Sequence, residues 1–162
     1  MESLNNQIME VSQLWPLIKE VIDSGGEYRL HPRGISMLPL IRPGQDTVSL
    51  VLPNEIKEGD IVLYQREEGH FVLHRVMYIK DSEYQMCGDN QDYLEFGIKI
   101  EQIVAKVKNI YKDNEQIVNT ESKEYKKYVK SIYKKIKKRK RRVFFASLKN
   151  KILRRNKKGL SH

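Results

Sequence analysis

The chain has 162 residues, enough for one domain with a buried core, and its 30 Lys and Arg against 21 Asp and Glu give a net charge of +9. The charge is uneven, because residues 1–112 carry 12 basic and 17 acidic groups whereas residues 113–162 carry 18 and 4. The single cysteine, Cys87, excludes an intramolecular disulfide, and the lack of any run of about 18 apolar residues excludes an ordinary transmembrane helix.

The N-terminal segment, residues 1–26, is predicted to contain a short amphipathic helix. Apolar residues recur at helical spacing from Leu14 to Ile22, and Gly25 and Gly26 follow as a stop signal. We expect this helix to pack against a sheet rather than to bind a membrane. No charged leader precedes an apolar run, so the sequence predicts no secretory signal and favours a cytoplasmic protein.

The stretch Gly34-Ile35-Ser36-Met37-Leu38-Pro39 presents a serine in a constrained loop. Gly34 permits unusual backbone angles, Pro39 fixes one dihedral, and Met37 can anchor the loop in apolar surroundings. Ser36 is therefore a candidate nucleophile. Taken alone, the hexapeptide is more typical of an ordinary surface turn, so further motifs must favour the nucleophile.

A series of predicted strands follows this loop. Turn signals precede Thr47–Leu52 and Ile61–Tyr64, and the long apolar run Phe71–Ile79 comes next. His74 lies inside that third strand, where it is a candidate general base or a core histidine held by one hydrogen bond. A final strand is predicted over Ile103–Tyr111.

Three carboxylates lie close together after the strand that ends near Gly88. Asp89, Asp92 and Glu95 each offer an acid that can orient the imidazole of a general base. Asp89 alternatively closes a turn on its own backbone. The sequence leaves the choice among the three open.

These motifs together resemble the S24/S26 serine peptidases, the superfamily of signal peptidase I and the LexA-type repressors. The resemblance spans roughly residues 12 to 111 and is carried by four boxes. The boxes are Gly34-x-Ser36-Met37-x-Pro39, Gly59-Asp60-Ile61-Val62, His74-Arg75-Val76 and Gly88-Asp89-Asn90. Bacterial signal peptidase I and LexA-like proteins have lysine at the position of His74, so the chain is similar to the histidine branch found in endoplasmic-reticulum and archaeal-type enzymes.

The resemblance implies a serine endopeptidase that cleaves a leader or precursor peptide without a metal or organic cofactor. Ser36 would be the nucleophile, His74 the base, and Asp89, Asp92 or Glu95 the orienting acid. Backbone amides at Ser36 and Met37 would stabilise the oxyanion. Histidine titrates near pH 6.5 in its ordinary state, so its site is expected to need less burial than a catalytic lysine requires.

The expected fold is mostly β, with a short N-terminal helix, a peptidase-like β domain over residues 27–112 and a basic helical tail over residues 113–162. In that tail, apolar residues recur at helical spacing among lysines and arginines throughout residues 125–158. Such a helix is typical of binding to an anionic membrane surface, here the inner face, and less so to nucleic acid or the ribosome. A merely solvated helix is the third interpretation.

Two other functions fit parts of the pattern. A LexA-like regulatory autopeptidase would share the β domain, but we expect no N-terminal DNA-binding domain, and the sequence has neither an Ala-Gly self-cleavage site ahead of Ser36 nor a lysine at the position of His74. A non-catalytic peptide-binding module anchored by the basic tail would keep the fold without the chemistry.

Overall fold

A computed structural model of the chain describes residues 10–113 and 116–139, and it confirms a mostly β fold with an N-terminal and a C-terminal helix. Helix α1 spans Val11–Asp23, a 3₁₀ turn spans Ile100–Gln102, and residues 123–139 form α2. The strands are β1 Tyr28–Leu30, β2 Thr47–Val51, β3 Ile61–Gln65, β4 Phe71–Lys80, β5 Glu83–Cys87, β6 Glu95–Ile98, β7 Ile103–Tyr111 and β8 Ile117–Asn119.

The eight strands form one antiparallel sheet in the order β1-β2-β7-β3-β4-β5-β6. Strand β8 pairs with β7 as well, at residues 109–111. Strand β3 lies at the centre of this order, between the two longest strands, β7 and β4. The strands expected over Thr47–Leu52, Ile61–Tyr64, Phe71–Ile79 and Ile103–Tyr111 are therefore present, whereas β6 and β8 were not predicted.

The larger core covers one face of the sheet. Ile18 and Ile22 of α1 pack there with Ile61, Leu63 and neighbouring apolar residues. Spacing of three and four residues places the apolar side chains of α1 on a single side, and burying them against the sheet stabilises a helix too short to persist alone. The preference for a packed N-terminal helix is thus confirmed.

A second apolar cluster is formed by residues of β3 that alternate in sequence with those of the larger core. Val62 and Tyr64 of β3 meet Val76 of β4 and Met86 of β5 in this cluster. Successive side chains of a strand point to opposite faces, so the same two strands supply both clusters. His74 belongs by this alternation to the face of Val62 and Tyr64.

Helix α2 is part of the packed domain. Tyr125 joins the larger core, while Ile132 and Ile136 pack against Met77 of β4 and Cys87 at the C-terminal end of β5. The apolar residues of the predicted basic tail that lie within α2 therefore face the sheet. Residues 140–158, the second half of that predicted helix, lie outside the described residues.

Within residues 10–113 and 116–139, no helix combines the length and the apolar character needed to cross a bilayer.

Candidate functional site

The serine loop joins β1 to β2 and is anchored by the residues that follow Ser36. Met37 and Ile41 are buried in the larger core. Asp46, also buried, accepts hydrogen bonds from the guanidinium of Arg42 and, at 2.7 Å, from Nζ of Lys112. These contacts hold a segment without regular secondary structure in one place, as the apolar character of Met37 predicts.

Ser36 lies directly against the turn that follows β5. The backbone N–H of Asn90 donates to the carbonyl oxygen of Ser36 at 2.8 Å, and its side-chain amide donates to the carbonyl of Ile35 at 3.2 Å. A Cβ on Gly88 would come within 2.6 Å of the Ser36 carbonyl oxygen and 3.0 Å of its Cβ. Glycine is therefore required at position 88 because the serine loop approaches its backbone so closely.

His74 comes to the same place from β4. Arg75 pairs with Cys87 in the register of β4 and β5, so the next step of that register sets His74 opposite Gly88. Gly88 thus adjoins the predicted nucleophile by direct contact and the predicted base by strand register. Within the described residues, Ser36 Oγ makes no hydrogen bond to the imidazole or to any other group. Such contacts often tighten only when substrate is bound.

The imidazole of His74 is more buried than expected. The residue is 3% exposed, and its Nδ1 lies 3.2 Å from the hydroxyl of Tyr64. Its Nε2 has no partner in the described residues, where every fully buried side-chain nitrogen or oxygen is hydrogen-bonded. Nε2 therefore retains some contact with solvent.

Burial lowers the pKa of His74 to about 4, from an ordinary value of 6.5. The charge of Glu95 opposes this shift, that of Arg66 adds to it, and that of Asp89 opposes it. The ring is therefore neutral at pH 7 because it is desolvated, and its burial exceeds what the sequence indicated.

Glu95 is connected to the imidazole through Tyr64. The Tyr64 hydroxyl donates to Glu95 Oε2 at 2.7 Å, and Arg66 donates from Nε to Oε1 at 2.8 Å and from Nη2 to Oε2 at 2.6 Å. Burial raises the pKa of Glu95, but the hydrogen bonds from Arg66 and Tyr64 outweigh it and hold that pKa below its ordinary value. The carboxylate is ionised and accepts from two residues.

Asp89 faces Arg75 instead of the imidazole. Both side chains are fully buried, and Arg75 donates from Nε and Nη2 to the two carboxylate oxygens at 2.7 Å each. Tyr128 adds a hydrogen bond to Asp89 at 3.0 Å, and Tyr125 accepts one from Arg75 at 2.6 Å. Within the described residues, the side chains of Arg75 and Asp89 therefore make no hydrogen bond to His74.

Asp92 lies at the surface. Its side chain is 72% exposed and pairs with Arg139 of α2 at 2.9 Å. Of the three carboxylates that the sequence offered, Glu95 is the one joined to His74 by a hydrogen-bonded chain, while Asp89 and Asp92 bind arginines elsewhere. Over the same described ranges, no three His, Cys, Asp or Glu side chains cluster closely enough to hold a metal ion.

The sequence interpretation missed Tyr64 and Arg66. Both belong to the hairpin of β3 and β4, in which Val62 pairs with His74 and Tyr64 with Val72. Counting back from the turn at residues 67–69 by steps of two would have set Tyr64 diagonally across from His74 on one face. Arg66 lies too close to the turn for alternation alone to indicate its partner.

Three comparisons with known proteins gave no relative: no family model, no curated protein and no solved structure matches this chain.

We predict that Asp89→Asn lowers the free energy of unfolding by about 3–5 kcal/mol, because it leaves the buried guanidinium of Arg75 without its counter-charge. Asp92→Asn is the matched control, three residues away on an exposed pair, and should cost less than about 1 kcal/mol. Urea unfolding followed by circular dichroism measures both. Equal, small losses for the two variants would show that the buried pair does not hold this turn.

Proposed function

We propose that the protein is a serine endopeptidase of the S24/S26 type that cleaves a leader or precursor peptide. The observation that carries the proposal is that Ser36 contacts Gly88 and that the strand register sets His74 opposite the same glycine. The serine loop is hydrogen-bonded to the turn after β5, and the register of β4 with β5 brings a buried, neutral imidazole to the same turn. A serine beside a neutral histidine is the arrangement that acyl transfer requires.

In this mechanism Ser36 Oγ attacks the scissile carbonyl as Nε2 of His74 takes its proton. The imidazolium then gives that proton to the leaving amine, and a water molecule releases the acyl group by the same steps. Two features support these roles. Ser36 Oγ is not engaged elsewhere in the described residues, and Nε2 retains contact with solvent.

The oxyanion would be stabilised by the backbone amides of Ser36 and Met37. Neither amide donates to an acceptor in the described part of the chain. Free donors on an anchored loop support this role, since an oxyanion hole works by being in place before charge develops. Each such donor is typically worth about 3 kcal/mol of transition-state stabilisation.

The partner surface we propose is the basic C-terminal segment bound to an anionic membrane on the cytoplasmic side. Because the apolar side of α2 packs on the domain, the lysines on its outer side and the nine basic residues of 140–158 would supply the attraction. Each Lys or Arg near an anionic surface contributes about 1 kcal/mol. A nucleic acid is the alternative partner for the same charge.

We expect Ser36→Ala to abolish cleavage while leaving the stability of the fold unchanged within about 0.5 kcal/mol. Incubation with a peptide library and mass spectrometry of the products gives the activity and the cleavage sites. Ser12→Ala, which removes an exposed hydroxyl from α1, is the control and should cleave normally. Cleavage by Ser36→Ala at the wild-type sites would end the peptidase proposal, and a wild-type protein with no activity would favour the binding module.

The pH profile should reflect the buried state of His74. Because the neutral imidazole is the active form, kcat/KM should rise with pH through about 4 and be level by pH 6.5. Initial rates between pH 3.5 and 8 measure it, with circular dichroism at each pH to exclude acid unfolding. A midpoint at or above 6.5 would contradict the burial of the ring seen here.

Removal of residues 140–162 should release the protein from anionic vesicles and leave cleavage of a short soluble peptide unchanged, because α2 and the site remain. Co-sedimentation with phosphatidylserine vesicles at low salt measures the binding, and phosphatidylcholine vesicles are the control. If the full-length protein binds neither kind of vesicle but binds RNA with a steep salt dependence, the partner of the basic segment is nucleic acid instead.

A further inference from the structure

The hydroxyl of Tyr64 lies between two groups that both need a hydrogen-bond partner. It is 2.7 Å from Glu95 Oε2 and 3.2 Å from Nδ1 of His74. Tyr64 and His74 are diagonal neighbours on one face of the β3–β4 hairpin, so the strand register fixes their relation. Tyr64 is itself completely buried, which leaves its ring no alternative position within the packed cluster.

The direction of these hydrogen bonds follows from counting protons. An ionised carboxylate only accepts, so the single proton of the Tyr64 hydroxyl is donated to Glu95. The hydroxyl oxygen then faces Nδ1 as an acceptor, and Nδ1 must carry a proton to complete the contact. A neutral imidazole holds one proton, so Nε2 is left with its lone pair free.

The charges of the surrounding residues keep this arrangement in place. Burial and the hydrogen bond to Glu95 raise the pKa of Tyr64 far above its ordinary value, so the hydroxyl stays protonated. Arg66 binds both oxygens of Glu95 and, by its hydrogen bonds, keeps the carboxylate ionised against the effect of burial. If these hydrogen bonds ran in the opposite direction, Glu95 would have to carry a proton, and the positive charge of Arg66 opposes that protonation.

We propose that Tyr64 is a positioning residue that holds His74 as the Nδ1-protonated tautomer, with Glu95 and Arg66 fixing the direction of its hydroxyl. This rests on the proposed function, because the tautomer leaves Nε2 free to accept the proton of Ser36. Asp89 does not supply the restraint, since its oxygens bind Arg75 and Tyr128. A tyrosine thus stands between the imidazole and the carboxylate that orients it.

The tautomer can be read directly in the full-length protein by nitrogen-15 NMR with labelled histidine. Long-range proton–nitrogen correlations at pH 7 distinguish a protonated ring nitrogen from one with a free lone pair, and a His74→Gln sample identifies the signals of His74. We expect Nδ1 protonated and Nε2 free. A ring protonated at Nε2 in the wild-type protein would overturn the proposal whether or not the protein cleaves peptides.

Tyr64→Phe keeps the ring volume and removes the acceptor of the Nδ1 proton. The spectrum should then show a shift of the proton toward Nε2, and kcat should fall about tenfold with KM little changed, the loss expected for one hydrogen bond. Tyr84→Phe is the matched control, since Tyr84 packs in the same cluster and its hydroxyl has no partner in the described residues. It should leave the tautomer and kcat unchanged.

Glu95→Gln tests the same chain if Tyr64→Phe does not fold. A neutral amide can donate as well as accept, so the Tyr64 hydroxyl is free to turn its proton toward Nδ1 and the tautomer should become mixed. An unchanged, purely Nδ1-protonated ring in a folded Tyr64→Phe or Glu95→Gln protein would refute the positioning role. A changed tautomer in a protein that cleaves nothing would keep the positioning role and reject the peptidase.

Discussion

The buried ion pair between Arg75 and Asp89 is the interaction on which the rest of the site depends. Two charges without exposure are costly unless every donor and acceptor is matched, and here Gly59, Tyr125 and Tyr128 complete the match. The pair joins β4, the turn before β3, the turn after β5 and α2. Since Asp89 sits between the two residues that contact the serine loop, the position of that loop follows from the pair.

The alternation of a single strand explains why the candidate site has two separate polar networks. His74 and Arg75 are consecutive in β4, so their side chains leave the sheet on opposite faces. Arg75 binds Asp89 on the face covered by α2. On the other face, His74 contacts Tyr64, which in turn binds Glu95. Asp89 lies within the predicted Gly88-Asp89-Asn90 motif, yet it is Glu95 that is joined to the imidazole by hydrogen bonds.

The strands and the serine loop could be predicted from the sequence because each depends on a local pattern. The catalytic pairing of Ser36 with His74 stays a prediction. Turn signals and alternating apolar residues mark β2, β3, β4 and β7, and Gly34 with Pro39 marks the loop. The partners of Asp89 and Glu95 were not accessible, since they depend on which of several arginines folding brings near each carboxylate. Strand β8 was missed for a related reason: it is three residues long and is stabilised by pairing with β7 rather than by its own composition.

Helix α2 shows why a basic amphipathic segment is ambiguous in sequence. An apolar stripe among lysines is equally suited to a bilayer and to the protein's own sheet, and here Ile132 and Ile136 are buried against β4 and β5. Tyr125 and Tyr128 of the same helix form hydrogen bonds with the Arg75–Asp89 pair. Removal of α2 would therefore expose these two buried charges to solvent. Lys135 also donates to the carbonyl of Asp89 at 3.3 Å. The helix is thus a structural support of the turn that holds the serine loop, and among its described residues it is the exposed lysines on its outer side whose charge can serve a partner.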